Sequence, residues 1–153
     1  MKRIIDIICS ILGLIILIPF FLIIAIAIKI ESKGPVIFKQ KRIGKDGQVF
    51  EIYKFRSMVV GAEKMGTGVY SKKGDSRVTK VGRFIRATSI DELPQLLNIL
   101  KGEMSFIGPR PVLTYHPWEY EEYTEEQKKR FLVRPGVTRM GTNTWEKRCR
   151  VEQ

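Results

Sequence analysis

Residues 7–28 read IICSILGLIILIPFFLIIAIAI, and no side chain among them is charged. An apolar run of about 18 residues or more is long enough to enter a bilayer. A cleaved secretory signal fits poorly, because the run is too long and no small-residue cleavage site follows it. Pro19 lies in the middle. It removes one backbone hydrogen bond and crowds the preceding turn, so a kink is expected there. Lys2 and Arg3 precede the run, and Lys29, Lys33, Lys39, Lys41 and Arg42 follow it. Basic residues favour the cytoplasmic side of a membrane. Two geometries meet these constraints: a straight span with a tolerated kink, and a bent helix that enters and leaves on one face. Either way, the rest of the chain is expected on the cytoplasmic side, since it holds most of the basic residues.

The chain has 153 residues, a formal net charge of +11 and a pI near 9.8. That length allows one small domain behind a membrane segment. The charge calls for anionic company: nucleic acid, lipid headgroups or phosphorylated substrates. The uncharged N-terminal run favours membrane and phosphate, and no nucleic-acid partner is expected. Cys9 and Cys149 form no CxxC pair, and His116 is the single histidine. Thiolate zinc, a disulfide framework and a serine–histidine–aspartate triad are therefore poorly supplied. Enzymatic chemistry would fall to carboxylates and basic side chains.

Beyond the run, Gly34-Pro35 breaks the helical pattern. Val36–Phe38 reads as a short strand, Lys45-Asp46-Gly47 as a hairpin turn, and Gln48–Phe55 as the second strand. Gly61–Gly74 is rich in Gly, Lys and Ser, as expected of a mobile loop. Val81–Arg86 reads as helix. Leu93–Leu100 also reads as helix, with Leu93, Leu96, Leu97 and Leu100 on one face. Thr124-Glu125-Glu126-Gln127 is a capping box opening another helix, which must stop before Pro135-Gly136. The class is α/β, a helix-rich α+β arrangement.

Three clusters offer chemistry. In Ser89-Ile90-Asp91-Glu92-Leu93-Pro94, Ser89 and Glu92 have capping-box spacing, a purely structural role. Pro94 is tolerated only within a first helical turn, which pushes the N-cap to Asp91 or later. Asp91 and Glu92 would then sit at a helix mouth, where a carboxylate stays ionised and a phosphate is welcome. In Gly108-Pro109-Arg110-Pro111, two prolines stiffen the backbone around one guanidinium suited to bidentate phosphate binding. An ordinary turn with a solvated arginine is the plainer alternative. Lys39–Arg42 with Lys54 and Arg56 forms a basic patch close behind the membrane segment, fitted to anionic lipid headgroups.

Taken in order, these segments resemble the bacterial sugar transferases, or monotopic phosphoglycosyl transferases. The likeness is carried by FKQKRIG (38–44), YKFRSM (53–58), GRFIR (82–86), SIDELPQL (89–96), GEMSFIGPRP (102–111) and RPGVT (134–138). It implies a membrane-embedded helix or helical hairpin over residues 1–30 and a small cytoplasmic catalytic domain over 31–138. It implies a re-entrant helix broken at Pro19; many members carry serine before that proline, where this chain has Ile18. It also implies transfer of a sugar 1-phosphate from a UDP-sugar to undecaprenyl phosphate at the bacterial cytoplasmic membrane. UMP is released, and surface-polysaccharide assembly begins. By that resemblance Asp91 is the nucleophile that forms a covalent phosphosugar. Glu92 is its partner, Mg²⁺ is held by Asp91 and Glu92, and Arg86, Arg110, Lys54 and Arg56 bind substrate phosphates.

After Thr138 the family pattern continues as Gly-Trp-Ala-Gln, two variable residues, then Gly-Arg-Asn. Here the chain reads Arg139-Met140-Gly141-Thr142-Asn143-Thr144-Trp145-Glu146-Lys147. Shifted to the second base of the Arg139 codon, Met140-Gly141 forces a tryptophan codon and Trp145-Glu146 forces a glycine codon. The neighbouring frame can therefore encode the missing pattern, and a frameshift near codons 138–139 is expected. Residues 139–153 would then be a divergent tail. Two rival readings follow: an inactive truncated remnant, and a basic membrane-tethered binding protein without chemistry.

Overall fold

The computed structural model describes residues 2–66, 68, 74–115 and 119–139. His116, Cys149 and the tail beyond 139 lie outside the described residues. Helix α1, Lys2–Glu31, is followed by strands β1, Ile37–Ile43, and β2, Val49–Phe55. Helix α2, Lys80–Ala87, leads into a 3-10 segment, Ile90–Gln95, and helix α3, Leu96–Lys101. Strands β3, Ser105–Gly108, and β4, Val112–Leu113, precede helix α4, Glu125–Lys128, and strand β5, Gly136–Arg139. The mixed helix-and-sheet class is as expected.

The strands form two sheets. One is antiparallel in the order β2-β1-β4; in the other, β3 and β5 run parallel. The β1–β2 hairpin turns at the expected Lys45-Asp46-Gly47, where Asp46 and Gly47 both take positive φ. Strand β1 is longer than the three residues read from sequence. Strands β3, β4 and β5 are each too short to show a period in the sequence. The β3–β5 pair depends on glycine. A Cβ on Gly136 would run into the backbone N and Cα of Gly108.

The apolar run forms one helix from end to end. Pro19 lies inside it. Side chains on both sides of the proline pack on the domain. Leu14 and Leu17 join Phe50, Ile52, Leu96, Ile99 and Met104 in one core cluster. Ile24 and Ile28 join Phe55 and Ile85 in a second, with the Phe21 and Phe55 rings edge to face at 5.3 Å. One proline costs about 3 kcal/mol in a helix interior, and anchoring both halves on one body outweighs it. The opposite face, with Ile8, Leu12, Ile16, Ile23 and Ile30, stays exposed. The helix is long and apolar enough to cross a membrane.

Both ends of α1 are also tied by polar contacts. Near the start, Lys2 Nζ donates to Ile107 O at 2.9 Å, and Arg3 donates to the carbonyls of Ile99 and Leu100. Asp6 is buried and accepts from Ser105 Oγ at 2.8 Å. At the other end, the Glu31 carboxylate accepts from the Lys80 and Val81 N–H groups that open α2, at 2.6 and 2.8 Å.

One expectation changes. The helix read over Leu93–Leu100 divides at Gln95, because Pro94 sits inside the 3-10 stretch. A 3-10 turn advances three residues, so the phase of the buried face shifts. Leu96, Asn98 and Ile99 point inward, while Leu97 is exposed. In the described part of the loop Gly61–Gly74, three backbone carbonyls are tied to one side chain. Buried Arg77 donates to the carbonyls of Ala62, Met65 and Gly68, each at 2.7 Å, and pairs with buried Asp75 at 2.6 Å. The Thr124–Gln127 capping box is present with both of its hydrogen bonds.

Candidate active site

Strand β2 is an edge of its sheet, so its outer N–H and C=O groups need partners. Asn98, fully buried, supplies them. Its Oδ1 accepts from Tyr53 N at 3.0 Å, and its Nδ2 donates to Glu51 O at 2.6 Å. This pairing presses the 3-10 segment Ile90–Gln95 against β2. Lys54 on β2 then meets Glu92, with Nζ 2.6 Å from Oε1.

The expected capping roles are absent. Ser89 takes a left-handed backbone, φ 58°, and makes no side-chain cap; Glu92 turns to Lys54 instead. Non-glycine residues at positive φ are held there by their surroundings and cluster at functional sites. Asp91 and Glu92 stand in the first turn of the 3-10 segment, with Ser89 at its N-cap position, and the α-helix proper begins at Leu96. Asp91 is buried, and burial pushes its carboxyl above the usual aspartate range. The charges of Lys54 and Arg86 pull it back, while Glu92 pushes it further up.

A pocket opens beside this carboxylate pair. Arg42, Ile52, Lys54, Glu92, Gln95 and Arg110 line it, with Pro111, Gly136 and Val137 completing the wall. Arg110 reaches it from the Pro109-Arg110-Pro111 turn between β3 and β4. That turn is held from two sides: Arg130 Nη2 donates to Arg110 O at 2.7 Å, and Gly136 N donates to Pro109 O at 2.9 Å.

Of the residues singled out from sequence, Lys54, Glu92 and Arg110 line the pocket. Asp91 lies beside it, with the Lys54 and Arg86 charges acting on it. Arg56 does not join them. It is buried under the α1–β1 connection, donating to Ser32 O, Ser32 Oγ and Lys33 O at 2.7, 2.8 and 2.9 Å. Its packing requires Gly34, where a Cβ would strike the guanidinium. Pro19 sits on the exposed side of α1, away from the pocket lining.

Sequence reading missed Arg42 and Gln95 as pocket residues. Arg42 was grouped with Lys39 and Lys41 as one basic patch. Strand alternation separates them, because side chains at i and i+2 share a face and i+1 does not. Among the described residues, no group of three His, Cys, Asp or Glu side chains converges to hold a metal ion. The two adjacent carboxylates, Asp91 and Glu92, are the available anionic donors at this site.

The sequence has known relatives. The family model described as bacterial sugar transferase matches residues 1–152, including the segment after Thr138. A UDP-glucose:undecaprenyl-phosphate glucose-1-phosphate transferase from Klebsiella pneumoniae is 48% identical over 94% of this chain and 31% of its own length. A putative undecaprenyl-phosphate N-acetylgalactosaminyl 1-phosphate transferase from Bacillus subtilis (strain 168) is 53% identical over 72% of this chain and 61% of its own. An exopolysaccharide production protein from Rhizobium leguminosarum bv. phaseoli is 43% identical over 90% of this chain and 70% of its own. The chain thus spans less than two thirds of the first two relatives.

Proposed function

The chain belongs to the bacterial sugar transferase family, and from that membership and the pocket geometry we propose that it transfers a sugar 1-phosphate from a UDP-sugar to undecaprenyl phosphate. UMP is the leaving product, and the lipid-linked sugar starts a surface glycan. The observation that carries this reading is the convergence of Lys54, Glu92 and Arg110 on one pocket beside buried Asp91.

In the first step an Asp91 carboxylate oxygen attacks the phosphorus that bears the sugar. The bond from that phosphorus to the UMP oxygen breaks, and UMP leaves with the electron pair. An acyl phosphate remains on Asp91, so one difficult displacement becomes two easier ones. In the second step a phosphate oxygen of the lipid attacks the same phosphorus, and the carboxylate is released. Arg110 and Lys54 hold phosphate oxygens, and Arg86 supports the charge beside Asp91. Lys54 also fixes Glu92.

Asp91 and Glu92 would hold Mg²⁺. The ion is commonly bound by one or two carboxylates with substrate phosphates completing its shell, and this donor set fits. When bound, it would supply neutralisation of the diphosphate charge.

We place α1 in one leaflet of the bacterial cytoplasmic membrane, both ends returning to the cytoplasmic face and anionic headgroups meeting the basic residues there. Support comes from the polar ties at each end, Lys2 to Ile107 and Glu31 to α2. A straight span would separate these ends by about 45 Å along the helix axis.

The test is UMP release from a UDP-sugar panel with undecaprenyl phosphate, using wild type and Asp91→Asn. Release by wild type, lost on the order of 10³-fold in Asp91→Asn, is expected, with a phosphosugar adduct visible by intact mass. No release from either protein would favour a non-catalytic membrane protein. For topology, Lys2→Cys and Ser32→Cys, each as the single cysteine of a Cys9→Ser, Cys149→Ser background, should both label from the cytoplasmic side alone.

A further inference from the structure

We infer that Arg42 is a second phosphate-binding guanidinium of this pocket, gripping the substrate diphosphate together with Arg110; this rests on the transferase reading above. Arg42 lines the same pocket as Lys54, Glu92 and Arg110. It is placed there by β1, whose residues Arg42 and Ile43 pair with Leu113 and Val112 of β4. That pairing draws the end of the Arg110 turn over the Arg42 side chain. Nη1 donates to Pro111 O at 3.3 Å, and Nη2 donates to Gln40 Oε1 at 2.6 Å. Gln40 is itself oriented, with Nε2 2.6 Å from Glu63 Oε1. The guanidinium is thus held on its edges by neutral acceptors.

What it lacks is an anion in direct contact: the Glu63 and Glu92 charges act on it only from a distance. Among the described residues no carboxylate lies in ion-pair range of Arg42, and its buried Nε has no hydrogen-bond partner. Burying an unpaired charge is costly unless an opposite charge arrives. The neighbours make the cost greater. Burial and then the like charge of Arg110 push the Arg42 guanidinium down to about 10. Glu92 is the carboxylate of this lining and is already paired with Lys54 at 2.6 Å, so Arg42 and Arg110 leave an excess of positive charge that a polyanion would complete. A diphosphate supplies oxygens enough for both forks, and Arg is better suited to that geometry than Lys.

The test is calorimetric titration of UDP, uridine and inorganic pyrophosphate into the full chain in nanodiscs, for wild type, Arg42→Gln and Arg42→Lys. Tenfold or greater weakening of UDP and pyrophosphate in Arg42→Gln is expected, with uridine changed less than twofold. Arg42→Lys should fall between, since it keeps the charge and loses the fork; it also serves if Arg42→Gln does not fold. UDP binding by a folded Arg42→Gln protein within twofold of wild type overturns the inference. Should wild type release UMP while Arg42→Gln behaves that way, the transferase reading stands and the grip falls. Should wild type bind pyrophosphate through Arg42 yet release no UMP, the grip stands and the transferase reading falls. No binding of UDP or pyrophosphate to wild type overturns the grip.

Discussion

Lys54 Nζ sits 2.6 Å from Glu92 Oε1, and this contact ties strand β2 to the short 3-10 segment that carries Asp91. The two side chains are 18% and 30% exposed, so water screens the pair only in part. Each residue therefore depends on the other for its place. Lys54→Gln, Glu92→Gln and the double variant should give non-additive losses of kcat/KM, with a coupling of about 1 kcal/mol or more. Strictly additive losses would show that the two act independently.

The acid limb of the rate profile should report Asp91. Attack needs the carboxylate, and burial raises the pKa of that group. Activity should therefore fall as pH drops, with a midpoint above the ordinary aspartate value. Lys54 favours the charged form, so Lys54→Gln should move the limb to higher pH. Glu92 disfavours it, so Glu92→Gln should move the limb to lower pH. Profiles of kcat/KM that shift in the reverse sense would refute this electrostatic account.

Arg56 should behave as a structural residue. Its guanidinium satisfies two backbone carbonyls and one hydroxyl where α1 hands over to β1. Arg56→Ala strands those acceptors, at about 1–3 kcal/mol for a buried group left unpaired. Thermal melting should drop by several degrees, with KM for the UDP-sugar little changed in the folded fraction. A large KM effect at unchanged melting temperature would return Arg56 to the substrate.

The gene should be sequenced through codons 130–153 and read in the neighbouring frame. Gly-Trp-Ala-Gln followed by Gly-Arg-Asn is expected there. A shifted frame without those residues would leave the segment after Thr138 as a natural divergence.

Much of the site was legible where physical chemistry acts locally. Asp91 with Glu92, and Arg110 between its prolines, stood out because unusual residue types occur in a stiff or acidic setting. The hairpin at Lys45-Asp46-Gly47 was legible for the same reason. Arg56 and Arg42 show the limit. Both are arginines in basic surroundings, and only tertiary contacts send one under the α1–β1 junction and the other into the pocket. Pro19 was legible as a local feature too, while the packing of α1 on both sides of it was not.

The sequence by itself determined that the chain has an apolar helix long enough to cross a membrane, a mixed domain behind it, and carboxylates and cations where other chemistry is poorly supplied. Those properties follow from hydropathy, period and residue type, which neighbours in the chain express without help. Only the tertiary structure decided that α1 lies along the domain with both ends tied to it. It alone decided that Asn98 caps the β2 edge, that Lys54 meets Glu92, and that Arg42 faces Arg110. Each of these joins residues far apart in the chain, and such a contact depends on which surfaces the whole fold brings together.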